Sequence, residues 1–90
     1  MTAAPVSVAA ALGLAGTSIL WLGVCQNIDA SGTVYRRAST AEPDPAAAAA
    51  FRHPPGDRWE MTVLADVPTW LWTTGGEVAV VVLEDGVAGV

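Results

Sequence analysis

The stretch from Arg58 to Leu83 constrains the fold more than any other part of the chain. Trp59, Met61 and Val63 alternate with Arg58, Glu60 and Thr62. A period of two places three apolar side chains on one side of an extended chain and three polar ones on the other, which is the pattern of a strand with one wet face. Asp66-Val67-Pro68 reads as a turn, because proline fixes its own φ and biases the residue before it toward an extended conformation. Strand character resumes at Trp70-Leu71-Trp72. Gly75-Gly76 supplies the positive φ angles of a tight hairpin, and Val78 to Leu83 is an unbroken apolar run rich in β-branched residues, as in a strand covered on both faces. The expectation over 58–83 is a meander of three strands joined by two turns.

Upstream, residues 18–26 (SILWLGVCQ) read as a buried strand and residues 33–37 (TVYRR) as a second. The six residues between them, NIDASG, are turn chemistry. Together they predict a hairpin of 18–26 against 33–37. Between the hairpin and the meander, Pro43, Pro54, Pro55 and Gly56 mark a surface connection. A short helix is predicted within it, near 45–53. Asp44 suits the N-cap, Pro45 the first helical position, Ala46 to Ala50 the interior, and Arg52 and His53 the cation-favouring end. Such a helix is too short to persist alone; docking of Phe51, worth roughly 1.5–3 kcal/mol if buried, would have to hold it. Glu84-Asp85-Gly86 predicts another hairpin turn, with residues 87–90 a last short strand. Residues 1–17 form an apolar N-terminal arm or helix, and residues 18–90 a single small β-rich domain. The fold class is therefore mainly β or α+β: a small antiparallel sheet built from a hairpin, a short helix and a three- to four-stranded meander.

Composition decides what such a sheet is for. Of 90 residues, 52% are hydrophobic and 14% charged. A chain of this length buries only about 60–65% of its unfolded surface, so apolar material is left over. A membrane or a protein neighbour would take it up. Residues 5–25 carry no charge and are long enough to cross a bilayer. A small bitopic membrane protein with an exposed β-rich domain is therefore the alternative reading. Gly13, Gly16 and Gly23 weaken the helix it requires, and the strand-and-turn reading accounts better for Asn27 and Asp29. The net charge of −5, with four arginines as the only cations, argues against a nucleic-acid partner.

Little in the sequence carries chemistry. His53 is the only histidine and reads as a helix cap beside Pro54-Pro55. Cys25 is the only cysteine and reads as a small buried hydrophobe. No zinc ligand set can be assembled from them, and the nine carboxylates sit mostly at turns. No catalytic residue, cofactor, metal or small-molecule substrate is assigned. The tryptophans are the distinctive feature. Trp21, Trp59, Trp70 and Trp72, with Phe51, are the interface candidates, since tryptophan dominates protein contacts; the competing explanation is a tryptophan-rich core. The expected function is a non-enzymatic structural or assembly subunit. It would pack against copies of itself or into a larger particle, such as a phage virion or similar shell.

Overall fold

A computed structural model describes residues 4–11, 13, 19–46, 48–64, 67–74 and 77–89. It is mainly β. The chain runs through β1 (Val6–Ser7), α1 (Val8–Ala11), β2 (Ile19–Asn27), β3 (Val34–Ala38), β4 (Phe51–His53), β5 (Arg58–Val63), β6 (Thr69–Thr73) and β7 (Val80–Gly89). All pairings are antiparallel. They form two sheets, one ordered β1-β6-β3-β4 and the other β5-β2-β7. The molecule measures 37 × 28 × 18 Å. Its short dimension suits two sheets packed face to face about 10 Å apart, with side chains outside them.

The strands lie close to where the alternation places them, but their partners differ from expectation. The predicted hairpin of 18–26 against 33–37 does not form. β2 pairs with β5 and β7, while β3 pairs with β4 and β6. The intervening turn residues do reverse the chain, but they carry it from one sheet to the other. The meander over 58–83 is also replaced, because β5 and β7 flank β2 while β6 lies in the opposite sheet. The physical reason is cover. A single-layer meander would leave the apolar face of Trp59, Met61 and Val63 without an opposing layer, whereas two facing sheets bury inner face on inner face. The turn residues Asp66, Gly75 and Gly76 lie outside the described residues.

The short helix near 45–53 is corrected as well. Asp44 does cap a turn, its carboxylate accepting from the Ala46 amide at 3.0 Å and its carbonyl from Ala48 at 2.8 Å. Phe51–His53 then forms β4, in register with β3 through Arg36↔Phe51, Tyr35↔Arg52 and Val34↔His53. The alanines offer no large side chain to bury, so the nucleation cost of a helix goes unmet, and the edge of β3 satisfies the backbone instead. Glu84-Asp85-Gly86 is likewise no turn. It continues β7, where Val24 faces Glu84 and Cys25 faces Val82, so Leu83 is the extra residue of a bulge.

The core draws on both sheets. Trp21, Cys25, Trp59, Met61 and Val63 come from one, and Val34 and Leu71 from the other. The burial of β5 alternates residue by residue, as its sequence requires. The described part of the N-terminal arm packs on its own chain: Val6 pairs with Leu71, Ser7 with Trp70, and Val8 and Ala9 enter the core. At Gly23 any Cβ would overlap the Trp21 ring, which lies across that glycine.

Candidate functional site

A polar knot sits at one end of the sandwich. Asn27, the last residue of β2, is fully buried. Its side-chain amide donates to the Gly32 carbonyl at 2.7 Å and the His53 carbonyl at 2.9 Å, and its Oδ1 accepts from the Asp29 amide at 2.9 Å. Its backbone N–H donates to the Asp57 carbonyl, and its own carbonyl accepts from Gly56, which turns at φ 86°. Asp29 completes the crossing between sheets, accepting from Gly32 at 2.7 Å, Ser31 at 3.1 Å and Ala79 at 3.3 Å. Those amide donors hold its carboxyl below the usual aspartate range, Gly32 contributing most.

His53 is not the helix cap that the sequence suggested. It is 5% exposed, on β4, and its ring stacks on Trp59 of β5 with centroids 4.0 Å apart. The Nε of Arg36 donates to His53 Nε2 at 3.0 Å. A guanidinium can only donate, so Nε2 must be unprotonated and the ring proton lies on Nδ1. Nδ1 donates in turn to Asp57 Oδ2 at 2.7 Å. Burial pushes the His53 pKa down from its ordinary value; Asp57 opposes this, and the Arg36 charge adds to it. With both ring nitrogens engaged, the imidazole has no free lone pair for a substrate proton.

Cys25, in register with Trp59, is also buried. Desolvation raises its thiol pKa, Arg36 opposing and Asp85 adding to the rise. A thiol in that environment is a poor nucleophile at neutral pH. Among the described residues no group of three or more His, Cys, Asp or Glu side chains could hold a metal ion.

The interface candidates separate cleanly. Trp21, Trp59 and Trp72 bury their rings inside this chain. Trp21 donates to Asp85 at 3.3 Å, and Trp72 lies on the face of its sheet away from Leu71, stacked on Tyr35 at 6.1 Å. The indole nitrogens of Trp59 and Trp72 have no hydrogen-bond partner among the described residues. Trp70 is half-buried and donates to the Ser39 carbonyl at 2.9 Å. Phe51 alone is open, at 67% exposure, under the Arg36 guanidinium 4.8 Å from its centroid.

Other surface features were not singled out from the sequence. Among the described residues β7 pairs only with β2, at a sheet edge, and it exposes Val82, Leu83 and Val87. Beside it an open groove of about 600 Å³ is lined by Arg36, Glu60, Glu84 and Asp85. A second groove, of about 430 Å³, runs along β3 and β4 between Arg36, Arg37, Ala50 and Phe51. The unbroken run Val78 to Leu83 signalled a covered strand. Its position at an edge is a property of the sheet order.

No helix among the described residues is long and apolar enough to cross a membrane. Residues 19–25 of the 5–25 span lie in strand β2. Comparison with protein-family models, with curated proteins and with solved structures returns no match.

Proposed function

We propose that this chain is a non-enzymatic assembly subunit, whose role is to pack against copies of itself or within a larger protein particle. One observation carries the reading. β7 is ten residues long, lies at a sheet edge, and exposes Val82 by 51%, Leu83 by 42% and Val87 by 66%. A long edge strand with apolar side chains is a template for another chain. The polar knot supports the same reading from the other side. Its histidine and aspartate hold the two sheets together and leave no lone pair on the ring for proton transfer. The membrane-span alternative gains nothing from a β2 hydrogen-bonded on both sides.

The test is the native mass in detergent-free buffer, measured by light scattering over a range of concentrations. A stable species heavier than the 9.2 kDa chain supports the reading. A monomer at every concentration, with no partner recovered, removes it.

A further inference from the structure

We infer that the partner is a second copy of this chain, joined about a two-fold axis, with β7 of each copy lying in the β3–β4 groove of the other. This rests on the assembly reading above and specifies its contact. Three of the four cations, Arg36, Arg37 and Arg52, lie on β3 and β4. The groove there is lined by Arg36, Arg37, three alanines and the exposed Phe51, with no carboxylate among its described lining residues. Glu42 and Asp44 of the connecting loop are outside that lining. β7 offers the complement: Glu84 and Asp85 set between Leu83 and Val87, on an unpaired edge. Acid meets arginine, and the aliphatic side chains meet Phe51 and the alanines.

The same carboxylates disfavour the simplest competitor, β7 against β7 in antiparallel register. Centring such a pair on the strand sets Glu84 against Asp85 of the other copy, and like charges directly opposite are destabilising. β4 is the other edge that combines positive charge with an exposed aromatic ring. Arg36 lines both the β3–β4 groove and the groove beside β7, so the basic and acidic halves form one continuous patch. A continuous patch carrying both halves is self-complementary under a two-fold axis, and the contact is then made twice and closes.

Charge reversal tests this on the intact chain. Glu84→Arg, at an exposed position of β7, and Arg37→Glu, in the lining of the β3–β4 groove, both leave the Trp21–Asp85 hydrogen bond in place. Each variant alone meets two repulsive contacts per dimer and should associate at least about tenfold more weakly than the parent. An equimolar mixture restores both contacts, one native and one reversed, and should recover a dimer of about parental affinity. Far-ultraviolet circular dichroism establishes that each variant is folded. Should either not be, Glu84→Gln and Arg37→Gln replace them, each expected to weaken association several-fold. Parental affinity in the single variants, or no recovery in the mixture, overturns the contact while the assembly reading stands. A parent that forms open-ended polymers overturns the two-fold geometry. A parent that remains monomeric overturns the two-fold contact, and overturns the assembly reading as well when no other partner is recovered.

Discussion

Arg36 Nε donates to His53 Nε2 at 3.0 Å, and this single bond fixes the protonation state of the only histidine in the chain. The two residues sit on neighbouring strands, with Val34↔His53 and Arg36↔Phe51 in register, so they are diagonal neighbours on one face. Protonating Nε2 would set an N–H against an N–H. The contact therefore joins β3 to β4 only while the imidazole is neutral.

Stability should consequently fall on mild acidification. The folded His53 pKa lies below its ordinary 6.5. Above about 6.5 both folded and unfolded chains hold it neutral, and the contribution is flat. Below that value the unfolded chain binds a proton that the folded chain resists, so stability declines until the folded imidazole also protonates. The urea midpoint should be lower at about pH 5 than at about pH 7.5, and His53→Gln should remove most of that difference. Asp29 acts in a separate window. Its folded pKa lies below 3.8, so its contribution is complete above that value and is lost as pH falls through the lower folded value. Asp29→Asn should remove this second decline and leave the first.

Asn27→Ala should be among the most damaging single changes. It deletes two donated bonds and one accepted bond at a fully buried position, leaving the Gly32 and His53 carbonyls without them. A buried group left unsatisfied costs about 1–3 kcal/mol. The variant should lose at least about 2 kcal/mol in equilibrium urea unfolding. A loss below about 0.5 kcal/mol would mean that the knot does not tie the sheets together.

Gly23→Ala should destabilise despite adding only a methyl group. The new Cβ would overlap the Trp21 ring, which is itself buried and hydrogen-bonded to Asp85. Overpacking of this kind costs about 1–3 kcal/mol. The emission of the displaced indole should shift together with the unfolding midpoint.

Phe51→Ala should separate folding from association. With the ring 67% exposed, its main described contact is the Arg36 guanidinium at 4.8 Å. An exposed cation–π pair is worth about 0.5–1 kcal/mol, so the thermal midpoint should move little. The native mass should fall toward the monomer, because the ring lies in the groove assigned to the second copy.

What the sequence by itself determined is local. The alternation in Arg58–Val63 is reproduced residue by residue, because a strand can bury only every second side chain. Asn27, Asp29 and Gly56 do reverse the chain, because their side-chain acceptors and positive φ act within a few residues of themselves. Asp44 likewise caps its turn whether or not a helix follows. Strand pairing was decided only by the tertiary structure. Every strand edge presents the same backbone donors and acceptors, so nothing local tells β2 to choose β5 and β7 over β3. That choice follows from which arrangement covers Trp21, Trp59 and Leu71 at once, a sum over residues up to fifty positions apart. The Arg36–His53 bond, the edge position of β7 and the burial of three tryptophans all follow from that sum.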